Sequence, residues 1–117
     1  MVFIKPHLAR NWKYLSDPVL LADIDLRNIK QLVVENSIPV TGRASGLLNG
    51  FLEYFELDLG PTTRLTTHPG SADETCHWRT PVWVFASPLV LDKGQRFRVT
   101  YEYRTSEEKF KLRVSRP

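Results

Sequence analysis

Residues 96–104 alternate without interruption: Phe97, Val99, Tyr101 and Tyr103 fall on one side, and Arg96, Arg98, Thr100, Glu102 and Arg104 on the other. A period of two marks a strand with one buried face, because successive side chains of extended backbone point to opposite sides. Phe110, Leu112 and Val114 repeat the pattern against Lys109, Lys111, Arg113 and Ser115, and the polar stretch from Thr105 to Glu108 between the two runs reads as a hairpin turn. A chain that closes on such a hairpin is committed to sheet. Val19–Asp25, Lys30–Val40, Leu48–Leu59, Thr63–Thr67 and Val82–Phe85 are further strand candidates, and Leu48–Leu59 is long enough to cross a barrel or bend between two sheets. Gly42, Gly46 and Gly50 punctuate the approach to that segment, and Asp92-Lys93-Gly94 reads as a turn before the terminal hairpin. The expected fold is all-β: a single β-barrel or barrel-like sandwich of about seven strands over residues 17–117. Residues 1–16 hold Trp12, Tyr14 and Leu15 without a clean period and read as an N-terminal arm or short helix.

A chain of 117 residues, 42% hydrophobic and 25% charged, suits one domain around one core. With Cys76 as the single cysteine there is no internal disulfide framework, and His7, His68 and His77 lack the spacing of a zinc site. Lys5, Pro6 and His7 interrupt any signal-peptide pattern, and no apolar run approaches the length of a membrane span. The expectation is a metal-free, intracellular protein, cytoplasmic, or nuclear in a eukaryotic cell. The net charge of +3 is uneven: residues 93–117 hold eight basic and three acidic side chains, the remainder eight basic and ten acidic. Alternation with apolar residues makes those cations the solvated face of strands. The alternative is a nucleic-acid surface, with Arg96, Arg98, Lys109 and Lys111 facing phosphate and Tyr101 and Tyr103 stacking on bases. Those tyrosines share a face with Phe97 and Val99, however, which places them in the core.

The long irregular stretch from His68 to Cys76 leads into Glu74-Thr75-Cys76-His77-Trp78, and Arg79-Thr80-Pro81 starts the next strand-like run. A histidine beside a tryptophan offers a titratable hydrogen-bonding group and a broad π face, a surface suited to a flat cation. No G-x-S-x-G turn, phosphate-binding glycine loop or Rossmann fingerprint occurs. Cys76 and His77 are adjacent, so in extended backbone they point apart, which argues against a thiol nucleophile. Glu107 with Glu108, and Asp23 with Asp25, read as turn and strand-face residues. The candidate binding residues are therefore His77 and Trp78, with no catalytic, cofactor or metal ligand assigned.

Taken in order, LLNGFLEYFELDL at 47–59, LTTHPG at 65–70, the Thr75-Cys76-His77-Trp78 segment, RTPVWVFASPLVLDKGQ at 79–95 and the closing hairpin resemble the C-terminal β-barrel domain of protein arginine N-methyltransferases, from about Asp17 to Arg113. In that family a barrel strand with spaced aromatics is followed by a serine-threonine-serine-proline loop, a threonine-histidine-tryptophan motif and a proline-leucine strand ending in glycine. His77 and Trp78 keep the motif's last two residues, and Val84-Phe85, Pro88-Leu89 and Gly94 keep the strand and turn. Cys76 stands where the family has threonine, Arg79-Thr80-Pro81 where it has lysine-glutamine-threonine, and His68-Pro69 where it has serine-proline. The resemblance implies a domain on the substrate side of a methyltransferase, with His77 and Trp78 touching an arginine-containing protein or peptide. The family's S-adenosylmethionine-binding domain, with its glycine-rich loop and paired glutamates, has no counterpart in these residues. The resemblance thus implies that the chain binds no cofactor and is inactive in isolation, with S-adenosylmethionine expected for a full-length enzyme. Implied partners are that methyltransferase domain, in cis or in trans, and a weakly associating second copy. The reading that competes is a free-standing β-barrel module for protein or nucleic acid.

Overall fold

Alternating residues become strands only where an edge is available to pair with, and most of the expected segments found one. The computed structural model describes residues 1–25, 33–104 and 107–113. In chain order come β1 (Val2–Ile4), a 3-10 turn (Pro6–Ala9), β2 (Val33–Thr41), β3 (Gly46–Leu52), β4 (Glu56–Asp58), β5 (Arg64–Thr66), β6 (Thr80–Leu91), β7 (Arg96–Arg104) and β8 (Glu107–Arg113). The chain is all-β, as its periodicity predicts. Hydrogen bonding divides these strands into three sheets, with orders β1-β6-β3, β2-β7-β8 and β4-β5.

The backbone gathers into two compact units, Met1–Lys13 with Leu47–Val90 and Tyr14–Gly46 with Leu91–Pro117. The second unit holds the terminal hairpin. β7 lies between β2 and β8, antiparallel to both, with Val40 opposite Phe97, Ile38 opposite Val99 and Asn36 opposite Tyr101. Phe97, Val99, Tyr101, Val40, Leu15 and Leu91 are buried, so the apolar face of the alternating run forms the core and Tyr101 belongs to it. Arg96, Arg98 and Arg104 face solvent. Pro39 is tolerated because β2 is an edge strand of this sheet, where a missing N–H breaks no second ladder. At the Asp92–Gln95 turn Gly94 takes φ of 86°, a left-handed value that a side chain would disfavour. The Gln95 N–H donates to Asp92 O at 3.0 Å, and Gly94 donates to Gly42 O at 2.7 Å.

The first unit holds the β1-β6-β3 sheet and the β4-β5 hairpin. Its β3 and β6 backbones approach so closely at Gly50 that no side chain fits there. The largest of its fully buried side chains are Thr67, Thr80 and Pro6, small or polar groups, while Val2, Phe3, Leu8, Trp12 and Val84 remain exposed.

Several expected boundaries moved. Val19–Asp25 carries no strand, and its Leu21 carbonyl accepts from the Asn36 side chain at 3.0 Å. Leu48–Leu59 is broken at 53–55, where the Phe55 N–H and carbonyl are both engaged by Thr67. β6 runs on through Pro88 to Leu91, well past Phe85. The N-terminal stretch contributes a strand and a single 3-10 turn started by Pro6, whose fixed φ suits that position. Of the Lys30–Val40 strand, residues 30–32 lie outside the described residues, as do turn residues 105–106, the side chains of Phe110 and Leu112, and Val114.

Candidate functional site

The loop from Thr67 to Arg79 is fixed at its base by two threonines with no exposed surface, Thr67 and Thr80. Thr67 clamps Phe55 twice: its Oγ1 accepts from the Phe55 N–H at 3.0 Å, and its own N–H donates to Phe55 O at 3.0 Å. The Thr80 hydroxyl donates to Thr67 O at 3.5 Å, satisfying a polar group that burial would otherwise penalise. This frame sets the height of Phe55, and Phe55 in turn meets Trp78 edge to face, with ring centroids 5.8 Å apart at 88°. Edge-to-face contact pairs the positive rim of one ring with the negative face of the other. Trp78 nevertheless keeps 54% of its surface exposed and Phe55 38%. A tryptophan so supported, yet presenting half its surface to solvent, is an available π surface.

Between these ends the loop is held turn by turn. Arg10 reaches across from the N-terminal segment, donating from Nη2 to Ala72 O at 2.6 Å and from Nε to Pro69 O at 3.3 Å. Ser71 and Ala72 both donate to His68 O, and the His68 ring accepts from the Gly70 N–H at 3.0 Å while packing against Tyr54 at 4.8 Å. Asp73 closes the next turn through the Thr75 hydroxyl, at 2.5 Å, and the Thr75 N–H, at 2.9 Å. The hydroxyl bond, then the amide bond, hold the Asp73 carboxyl below the ordinary carboxylate range, with smaller help from Arg10 and His7. The stretch read as irregular is a sequence of locked turns.

His77 is exposed. With Lys5, Glu74, Thr75, Cys76 and Arg79 it lines an open recess of about 460 Å³. Trp78 does not line it, so the structure divides the two predicted residues: the tryptophan belongs to the Phe55 pair and the histidine to the recess. Cys76 is partly buried and its thiol points at Trp78 O, 3.7 Å away. No group of three or more metal-ligating side chains occurs among the described residues. The sequence reading missed Phe55, Arg10 and Lys5. Phe55 carried one local signal, adjacent aromatics at Tyr54-Phe55 that extended backbone must send to opposite faces. Arg10 and Lys5 carried none, because the loop lies far along the chain from both: Arg10 bonds carbonyls at separations of 59 and 62, and Lys5 lines the recess with residues from the 74–79 segment.

Comparison with known proteins agrees with the pattern of residues 47–95. No curated protein and no solved structure matches this chain. A family model described as the arginine methyltransferase oligomerization subdomain matches residues 5–114. That span takes in every strand from β2 to β8 together with the His77–Trp78 loop, and the chain therefore belongs to the arginine methyltransferase family through this C-terminal subdomain.

Proposed function

We propose that this chain is the substrate-side β domain of a protein arginine methyltransferase, in which Trp78 forms one wall for the substrate guanidinium. The observation that carries the reading is the supported, half-exposed Trp78 ring on Phe55. A guanidinium stacks on such a face without surrendering its proton, which contributes about 0.5–1 kcal/mol at an exposed site. The loop's rigidity favours this use, since a ring already in place loses little entropy on binding.

Methyl transfer itself is assigned elsewhere. The recess beside the loop does not fit S-adenosylmethionine: Lys5 and Arg79 line it against the single carboxylate of Glu74, and a sulfonium is itself a cation. The carboxylates that a guanidinium needs, and the donor, are then contributed by a methyltransferase domain joined in cis or in trans. In this reading His77, exposed at the loop, pairs with an acidic group of that domain. The exposed Val2, Phe3, Leu8 and Trp12 support burial against such a domain or against a second copy, an association in keeping with the family model's description. Catalysis in the assembled enzyme would come from proximity, a guanidinium nitrogen held against the donor methyl.

The test is affinity for an arginine-rich peptide beside its lysine-for-arginine counterpart, measured by calorimetry on the wild type and Trp78→Ala. A loss of the cation–π contact weakens arginine-peptide binding by about two- to fivefold. Unchanged affinity in a well-folded variant removes Trp78 from the site.

A further inference from the structure

Two permanent cations and a histidine line the recess at the loop, and one carboxylate stands against them. Lys5, His77 and Arg79 line it, and Glu74 is the one acidic residue among its lining groups. Several other arginines among the described residues are matched by the protein. Arg43 pairs with Asp17, Arg64 with Asp58 and Glu56, and Arg104 with Glu35, while Arg10 spends its donors on two loop carbonyls. The side chains of Lys5 and Arg79 have no ion pair or hydrogen bond among the described residues. With one carboxylate against two permanent cations, the recess carries an excess of positive charge that a bound anion would neutralise.

The surroundings fix the backbone from which these side chains extend. Arg79 directly precedes Thr80, which is fully buried, so the root of its side chain is anchored at the start of β6. Lys5 caps the 3-10 turn, its carbonyl accepting from the Leu8 N–H at 3.1 Å. Asp73 and Thr75 fix the loop backbone on the recess side. A planar guanidinium fork beside an ammonium point charge is a combination that grips two oxygens of one acid group while neutralising it. The volume of about 460 Å³ admits a group of that size.

We propose that this recess is an oxyanion site, taking a phosphate or carboxylate group on Lys5 and Arg79. It goes beyond the arginine reading and does not depend on it, since the ligand has the opposite charge and Trp78 takes no part.

The experiment is a pair of titrations on the isotope-labelled chain at constant ionic strength, one with inorganic phosphate and one with succinate, following the amide resonances of residues 74–79. The site predicts saturable shifts centred on this segment, with affinity falling about tenfold in Arg79→Ala and again in Lys5→Ala as each charge-assisted contact is lost. Trp78→Ala leaves the oxyanion affinity unchanged, whatever it does to arginine peptides. Saturation by phosphate alone or by succinate alone supports the site equally and tells which acid group it takes. Lys5→Glu, at an exposed position, serves as the second variant if Arg79→Ala does not fold, and it abolishes saturation. Shifts that stay linear and match those of added chloride overturn the proposal, as does saturable binding that the Lys5 and Arg79 variants leave intact.

Discussion

Gly50→Ala tests how tightly the sheet beneath the loop is assembled. A methyl at Gly50 would lie 2.0 Å from Trp83 O, 3.0 Å from Trp83 C and 3.1 Å from Val84 Cα, all backbone atoms that cannot swing aside. Ordinary contact begins near 3.4 Å, so β3 and β6 must part locally by about 1.4 Å. Hydrogen bonds that start near 2.9 Å are then stretched beyond useful length, and losing roughly two of them costs about 2 kcal/mol. Overpacking strain adds about 1–3 kcal/mol, and the entropy gained by replacing glycine in a strand offsets up to about 1 kcal/mol. The net loss is about 3 kcal/mol, a large part of a stability that for a domain of this size is about 5–15 kcal/mol. In urea denaturation followed by far-UV circular dichroism, the midpoint falls by about 1–3 M for an m-value of about 1–3 kcal/mol/M. Gly70→Ala is the contrast. Its methyl meets only the His68 ring, at 3.1 and 3.2 Å, and a side chain can yield, so the cost stays under about 1 kcal/mol. A Gly50→Ala midpoint equal to wild type, or a Gly70→Ala loss as large as that of Gly50→Ala, refutes the close approach of the two strands.

Other expectations concern the loop. Thr67→Val keeps the volume but orphans the Phe55 N–H, lowering stability by about 1–2 kcal/mol in the same urea assay and loosening the Trp78 contact, read as a shift in tryptophan emission. Arg10→Ala removes two donors from loop carbonyls and costs about 2 kcal/mol, with faster amide exchange at Ser71 and Ala72. Asp73 has a folded pKa below its unfolded value, so its bonds to Thr75 stabilise the loop above the unfolded carboxylate pKa and are lost as pH falls through the folded one. Protection of the Thr75 amide, its exchange taken relative to the intrinsic rate at each pH, should therefore fall on acidification in the wild type, and Asp73→Asn should flatten that dependence.

Local pattern made the terminal hairpin legible because β7 and β8, neighbours in sequence, pair with each other, and β7 buries the face that alternation identifies. Val19–Asp25 has the same β-forming composition but no strand, since composition reports what a sheet would accept and not where an edge exists. The break at 53–55 was hidden for a related reason: Phe55 gives its backbone groups to Thr67, twelve positions away, and leaves the β3 ladder. The expected strand at Val82–Phe85 extends through Pro88 to Leu91, because a proline ends a strand only where its missing N–H would have been needed. At the site, His77 and Trp78 were visible as residue types, and their separation into a π surface and a charged recess was not. That division is set by Phe55, Lys5 and Arg10, which the fold brings in from distant positions.

The most direct test of the substrate-wall claim uses the three indole N–H signals of the chain, Trp12, Trp78 and Trp83, during titration with an arginine-rich peptide. Trp83 is engaged with Glu53 at 3.3 Å, and neither it nor Trp12 belongs to the Thr67–Arg79 loop, so both serve as reference signals. The account predicts a saturable shift of the Trp78 signal that the lysine-substituted peptide reproduces only weakly. A peptide that binds while the Trp78 signal stays fixed, or that moves Trp12 or Trp83 instead, contradicts it.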